Sequence, residues 1–473
     1  MKQIFYLPVI VCGILCGCAS ENITPAPGAP EQSVQEYVKK HWKNIASPHP
    51  VLYSVKWKMS REDSEKQFAG YQNILKKYAP HMLAEYAAID QALNWENGTY
   101  LRKSFYGLNK KATLKRNKKI TGHECTSWAV LPDKAADNQL LLHKNRDTDI
   151  RKTVIVHRIH PEIYAYIGLC DIGLLDVTMG MNSVGLVFTV NSGDKSDAYF
   201  SGGLDTTQLG RILLENCRTA EEAVMLLQKM ISDNAYTHGQ SGSIWLIADK
   251  DCVFAVEHDT KRFAFQKTEN GCVIRANTWL LPEMLPYSQK SVKGAFNSRG
   301  RERAILNVLF DSGKKHSRPV TPEIMAQAAR CTLIPGAPKE YPPCGKRTVS
   351  GATFSIDREF PADLSTVYAA TGSPAHTLFL PIPITACEIP SELLDQEHSK
   401  KIDKLQAARK KLFSDRKQAE IEAVLRQNHH QARENARKIL RRDFSEAARL
   451  QVRKMMNAAF KENCRIFQAA FQQ

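Results

Sequence analysis

A chain of 473 residues with 43% hydrophobic and 24% charged side chains is too apolar for wholesale disorder, and its length allows about three domains or one large domain with extensions. Its formal net charge of +16 says nothing about fold, but it predicts attraction to anionic surfaces or substrates. No repeat of fixed period stands out.

The chain opens with MKQIFYLPVIVCGILCGC, in which Lys2 precedes a short apolar run that ends in small residues. That run is too short to span a bilayer comfortably. The ending Leu15-Cys16-Gly17-Cys18 resembles a bacterial lipobox, so residues 1–17 are expected to be a lipoprotein signal peptide and Cys18 the lipidated first residue; a plain secretory signal is the alternative. Residues 18–35, rich in Pro, Ala and Ser, read as a semi-rigid tether. The expected location is the bacterial cell envelope, lipid-anchored at the outer membrane or the periplasmic face. Disulfides can form there. Cys252 and Cys272 flank a strand pair and Cys331 and Cys344 flank a Pro-rich loop, so either pair could bridge, while no Cys and His spacing suggests a structural zinc site.

Residues 36–124 read as a helical leader, because EYVKKHWKNI and the segment from Glu62 to Leu93 carry apolar residues at three- and four-residue intervals. Asn97-Gly98 breaks that pattern, and the basic run LRKSFYGLNKKATLKRNKK follows as an exposed linker. From Cys125 the texture changes to short strand-like runs: TSWAVL, NQLLLHKN, KTVIVHRI, YAYIGL and VGLVFTV. A helix pair comes next, TTQLGRILLENC and AEEAVMLLQKMI, the second with Thr219 as N-cap. Strands return in GSIWLIAD, CVFAVEH, RFAFQKT and CVIRANT, then helices in ERAILNVLF and TPEIMAQAA, then strands in GATFSID, LSTVYAA and HTLFLPI. Blocks of strands alternating with helix pairs predict a layered α/β or α+β body over residues 125–388.

Residues 389–473 form a basic helical tail. Positions 391–473 hold 19 basic and 11 acidic side chains, half of the excess positive charge of the chain. One or two long helices are expected there. They are read either as a solvated hairpin packed on the body or as a binder of anionic lipid or cell-wall polymer; nucleic acid is not expected as a partner.

A cysteine nucleophile needs a base, a group to hold that base, and donors for an oxyanion. His143, His157, His160 and His238 are available, but none stands in a recognisable cysteine-protease context. The other solution is a cysteine at the first position of a processed chain, whose own α-amine has a pKa near 8 and serves as base.

The ordered set Cys125-Thr126-Ser127, His143-Lys144-Asn145-Arg146-Asp147, Gly180-Met181-Asn182-Ser183-Val184-Gly185-Leu186 and Thr189-Val190-Asn191-Ser192 resembles the N-terminal-nucleophile cysteine hydrolases. The nearest branch is the acyl-coenzyme A:6-aminopenicillanate (isopenicillin N) acyltransferase family, with choloylglycine hydrolases, penicillin V acylases and acid ceramidase as wider relatives. The resemblance covers roughly 125 to 385. It implies an α+β fold, the αββα four-layer sandwich of N-terminal-nucleophile hydrolases, here with a helical leader and a C-terminal helical extension.

It also implies roles. Cys125 is the nucleophile freed by self-cleavage of the Glu124-Cys125 bond, Asp147 holds the new α-ammonium, and Asn191 supplies the oxyanion-hole side chain. Asn277 is a second active-site asparagine, and Arg299 in NSRGR polarises the site, with Arg301 and Arg303 as alternative matches. Lys144 and Arg146 line the substrate site; bile salt hydrolases carry arginine where Lys144 stands, and many relatives carry an aromatic residue or methionine where Arg146 stands and glycine where Glu124 stands. Taken one at a time, Asp147 and Asn191 read equally as turn and strand-end residues, and Cys125 as a buried structural thiol.

The expected activity is hydrolysis or transfer of the acyl group of a small N-acyl amide through a cysteinyl thioester, with no metal or organic cofactor. The leader and catalytic fragments are expected to stay associated after cleavage. Two rivals are a catalytically inactive surface lipoprotein with this fold and a cysteine peptidase using a Cys-His pair.

Overall fold

The structure is a computed structural model and describes residues 61–102, 104–105, 125–148, 153–159, 163–171, 174–198, 202–237, 241–310, 318–332, 342–386, 389, 401–402, 404 and 413–472. Cys18, Glu124, His160, His238 and Cys387 lie outside the described residues, as do the signal peptide and tether.

Two antiparallel sheets form the centre. The seven-stranded sheet is a meander of β3 (Thr153–Arg158), β4 (Tyr166–Asp171), β5 (Met179–Asn182), β6 (Val187–Lys195), β7 (Ser241–Ala248), β8 (Val253–His258) and β9 (Phe263–Thr268), paired in that order. The six-stranded sheet runs β10 (Cys272–Arg275), β1 (Thr126–Val130), β2 (Leu140–Asp147), β11 (Thr348–Ile356), β12 (Thr366–Ala370) and β13 (Leu380–Pro383). Each strand presents alternate residues to opposite faces, so each sheet has an inner and an outer apolar face. The inner faces meet in one cluster that contains Ala129, Leu140 and Leu142 from one sheet and Ile167, Met181 and Leu246 from the other.

Helices cover both outer faces. α1 (Arg61–Tyr78), α2 (Pro80–Ala92), α3 (Thr206–Asn216) and α4 (Ala220–Ser232) share a cluster with Phe188, Trp245 and Phe254 of the seven-stranded sheet. On the other side α5 (Val292–Phe310) and α6 (Pro322–Ala329) bury Ile305, Leu309 and Met325 against Trp128, Val130 and Leu141. The order of layers is αββα, as the resemblance implied. α4 starts where the sequence predicts: Thr219 caps it, its side chain accepting from the backbone N–H of Glu222.

The tail is a helical hairpin of α7 (Asp415–Arg442) and α8 (Glu446–Gln472). Leu440 packs with Val452 near the turn, and Asn463 donates to the carbonyl of Leu425 toward the open end, so the two helices run antiparallel. Leu425, Phe460 and Phe467 join the cluster between the sheets, where they pack beside Ile382 and Ile384 next to the edge strand β13. The tail is therefore part of the core and covers a sheet edge that would otherwise be open. This is the docked-hairpin reading.

Neither of the two possible disulfides forms among the described residues. The thiols of Cys252 and Cys272 are unbridged, and the thiol of Cys344 faces Ser373 Oγ at 3.6 Å. The reason for the first pair is topological. Cys252 precedes β8 in the seven-stranded sheet, whereas the chain crosses over before Cys272, which opens β10 in the other sheet.

Candidate active site

At one end of the sandwich the inner faces change from apolar to polar on three strands at once. Along β2 the inward series is Leu140, Leu142, Lys144, Arg146; along β1 it is Ala129, Ser127 and then Cys125; along β6 it is Val187, Thr189, Asn191. Ser127 lies opposite Lys144 and Ala129 opposite Leu142 in the β1–β2 register, so the polar ends coincide. A buried polar patch inside a sandwich must satisfy itself with hydrogen bonds.

Cys125, just ahead of β1, is 6% exposed. Its Sγ lies 3.5 Å from the backbone N–H of Asp147, which donates to it, and 3.8 Å from the Asp147 carbonyl. Lys144 is 2% exposed, and its Nζ donates to the Val190 carbonyl and, at 3.1 Å, to Asn191 Oδ1. Burial pulls the Lys144 ammonium below the ordinary lysine range, and Arg146 acts in the same direction, while Cys125 and Asp147 oppose it. Arg146 makes a two-pronged ion pair with Asp171 at the end of β4, which ties one sheet to the other.

Asn191 joins the sheets as well. Its Oδ1 accepts from Ser127 Oγ at 3.0 Å and from Lys144, and its Nδ2 donates to the carbonyls of Arg275 and Ala276 at 3.0 and 3.1 Å. These partners fix the amide orientation, since a flipped side chain would set its oxygen against two carbonyls. Both of its N–H bonds thus point to backbone carbonyls rather than into a space beside Cys125. Asn277 donates through Nδ2 to the Ser192 carbonyl at 2.7 Å and accepts at Oδ1 from Arg301 at 3.0 Å.

Arg301, 1% exposed, also donates to the Cys125 carbonyl at 2.7 Å and to Thr126 Oγ1 at 3.0 Å. Arg299 is elsewhere. Its side chain is 58% exposed and pairs with Glu302 on the outside of α5, and Arg303 is exposed too. A sequence signal for this existed: Arg301 stands four and eight residues before the buried Ile305 and Leu309, on the inward stripe of the helix.

The motif around these residues is built from locked side chains. Asn182 accepts from the N–H groups of Val184 and Leu186 and donates to the carbonyls of Leu214 and Cys217, which clamps the β5–β6 turn to the end of α3. Gly185 in that turn has φ of +92°, a conformation that side-chain-bearing residues rarely adopt. Asn145 faces away from Lys144 and donates to the carbonyls of Ala329 and Pro343.

His143 also lies on the outer face of β2. It stacks on Trp128 with ring centroids 4.2 Å apart and bonds Thr353 and Asn145, and burial pushes its imidazole down to about 3. His157 pairs with Ile167, four positions along β3 from Thr153, the partner of Asp171; at roughly 3.4 Å per residue that is about 14 Å from the Asp171 end of the strand. Neither is positioned as a base for Cys125.

Residues 134–307 match the model of the acyl-coenzyme A:6-aminopenicillanic acid acyl-transferase family. That span contains Lys144, Asp147, Asn191, Asn277 and Arg301 and starts after Cys125. No curated protein matches the chain in sequence. Among solved structures, a Caenorhabditis elegans N-acylethanolamine-hydrolyzing acid amidase ortholog is 16% identical, with 50% of this chain and 96% of that one covered and a TM-score of 0.34. A variant of the conjugated bile acid hydrolase from Clostridium perfringens is 13% identical, with 58% and 95% covered and a TM-score of 0.37. A penicillin G acylase from Alcaligenes faecalis is 12% identical, with 44% and 53% covered and a TM-score of 0.29. Over residues 134–307 the chain thus carries the sequence pattern of the acyl-coenzyme A:6-aminopenicillanic acid acyl-transferase family, the resemblance first met in the motifs after Cys125.

Proposed function

We propose that the protein is an N-terminal-nucleophile amidase or acyltransferase in which Cys125, once freed by cleavage of the bond before it, attacks the carbonyl of a small N-acyl amide. One observation carries this reading: Cys125 sits just ahead of β1, the strand between β10 and β2, at the point where Lys144, Asp147, Asn191, Asn277 and Arg301 converge. The free α-amine takes the thiol proton, and the Asp147 carboxylate holds that amine in place. Sulfur adds to the amide carbonyl. Asn277, whose Nδ2 uses one N–H on Ser192, turns its second toward the oxyanion. The amine product leaves with the proton, and water or a second amine resolves the thioester. Arg301 holds both the Cys125 carbonyl and Asn277, so it sets the nucleophile against its donor. Asn191 positions Lys144 and ties the sheets together instead of donating to the oxyanion.

The same reading puts the protein on a membrane through lipidated Cys18 in the bacterial envelope, where coenzyme A is scarce, so hydrolysis is favoured over transfer from that donor. No described helix is long and apolar enough to cross a membrane. After cleavage the leader stays docked, supported by the buried Tyr71, Leu75, Met82, Tyr86 and Phe105 and by ion pairs from Glu85 to Arg158 and Arg211. The test is to incubate purified protein with a panel of N-acyl amides and map adducts by mass spectrometry. The expected result is an acyl adduct on Cys125 that hydroxylamine removes; turnover with no Cys125 adduct, and no loss in Cys125→Ala, would exclude this chemistry.

A further inference from the structure

We propose that Lys144 is the proton acceptor for the Cys125 thiol in the uncut chain, a Cys–Lys pair that ionises the nucleophile before any α-amine exists. The proposal rests on the reading of Cys125 as nucleophile and addresses the step that reading leaves without a base. Until the bond before it is cut, the nitrogen of Cys125 is an amide with no useful basicity. The described histidines nearest in sequence, His143 and His157, face the other side of β2 or lie far along β3.

Lys144 has the valence for the task. A neutral amine carries two N–H bonds and one lone pair, and an ammonium carries three N–H bonds. Two positions around Nζ are fixed by the Val190 carbonyl and Asn191 Oδ1, which leaves the third for the Cys125 thiol, two residues along the same inward face from Ser127, the register partner of Lys144. The proton can therefore pass from sulfur to nitrogen and back while every heavy-atom contact stays the same. Asn191 is itself fixed by Ser127 and by two carbonyls, so the amine is held from behind.

The charged and titratable groups facing Nζ are Cys125, Arg146 and Asp147. Burial, the largest influence, and Arg146 disfavour the ammonium, whereas Cys125 and Asp147 favour it. Arginine at this position could stabilise a thiolate but could not take its proton.

The step balances. The S–H bond breaks and an N–H bond forms on Lys144, and sulfur attacks the carbonyl carbon of residue 124 with the freed electron pair. Lys144 returns the proton to the departing nitrogen of Cys125, and the C–N bond breaks to leave a thioester and a free α-amine. Water then hydrolyses the thioester to a carboxylate and regenerates the thiol.

The test uses the full-length chain with Lys144→Met, Lys144→Arg and Lys144→Ala. Two rates are read near neutral pH: alkylation of Cys125 by iodoacetamide, by peptide mapping, and formation of a chain that begins at Cys125. Each variant is expected to slow both by at least about tenfold, and methylamine is expected to restore Lys144→Ala severalfold. Wild-type rates in Lys144→Met, or full rescue by arginine, would overturn the proposal. Should the buried substitutions misfold, competitive acetylation of Lys144 in wild type and in Cys125→Ala reads the pair directly: a changed amine reactivity supports it, and an unchanged one overturns it. A chain that is never cut, yet alkylates at Cys125 in a Lys144-dependent way, keeps the pair and sinks self-cleavage. A chain cut at the wild-type rate without Lys144 keeps self-cleavage and sinks the pair.

Discussion

The leader and the tail are both helical additions to the sandwich, and both are fastened by buried ion pairs, but with opposite electrostatics. At the leader junction Glu85 of α2 accepts from Arg158 and Arg211, Arg211 also bonds Glu215, and Asp176 lies 3.7 Å from Arg211. His81 closes the group by meeting Glu215 at 2.7 Å. Carboxylates outnumber guanidiniums there. At the tail junction the buried carboxylate of Asp357 takes both Arg433 and Arg437 of α7, at 2.7 and 2.6 Å, and Arg437 also meets the more exposed Glu359 and Glu434 at 3.5 and 3.4 Å.

The difference shows in the titrations. Burial, only partly offset by Arg211, raises Asp176 to about 7, whereas against burial Arg433 and Arg437 hold Asp357 down at about 2. One junction is sensitive to pH near neutrality and the other only in strong acid. Much of the basic charge that suggested an anionic partner for the tail is engaged internally, since Arg441 also pairs with Glu359 and Arg449 with Asp363.

The two junctions should separate most at Asp357. Asp357→Ala leaves Arg433 buried without a carboxylate and Arg437 with only the partly exposed Glu359 and Glu434, and breaking a buried pair in this way costs about 3–5 kcal/mol. Hydrogen exchange should show α7 and α8 losing protection while the leader helices keep theirs; uniform loss would mean that the tail does not open as a unit. Glu85→Ala should cost less, about 3 kcal/mol, because Arg211 keeps Glu215 and only Arg158 loses its carboxylate. The loss should appear in α1 and α2.

The pH response is smaller and has a definite sign. Asp176 is raised from 3.8 to about 7 in the folded chain, so the folded state holds its proton more tightly than the unfolded state. That contribution is fully present below about pH 4 and is lost as pH rises through 7. Glu85 runs the other way: against burial, Arg211 and Arg158 hold it at about 2, so its contribution is present above its ordinary 4.5 and lost only as pH falls toward 2. Between pH 5 and 8 the wild type should therefore lose melting temperature relative to Asp176→Asn as pH rises toward 7, a difference that cancels the opposite trend shared by both chains from His143, His157, His258 and His429, all held neutral by burial, while Asp357 contributes no slope in that window. The smallest effect belongs to the exposed contact of Lys77 with Asp233, where Asp233→Asn should shift stability by no more than about 1 kcal/mol.

What the sequence could reveal about the site follows the same physics. Short apolar runs locate strands because burial selects them, and Thr219 locates a helix start because the cap is a local bond. The polar ends of β1, β2 and β6 were visible one strand at a time, but their convergence depends on register between the strands. Arg299, Arg301 and Arg303 differ only in the helix face they occupy, which the resemblance alone did not resolve; Arg301 is the one that faces inward. For Asn191 the type and place of the side chain were legible, whereas its donors are taken by carbonyls near β10, a strand more than eighty residues later in the chain. Cys252 and Cys272 look like neighbours until the chain crosses between sheets.

The most direct test of the account is N-terminal sequencing and intact mass of the purified wild-type chain beside Cys125→Ala. A second polypeptide that begins at Cys125 is expected in the wild type, still bound to the leader on gel filtration, and a single uncut chain in the variant. An uncut wild-type chain that nonetheless turns over an amide, or a cut that persists without the thiol, would contradict it.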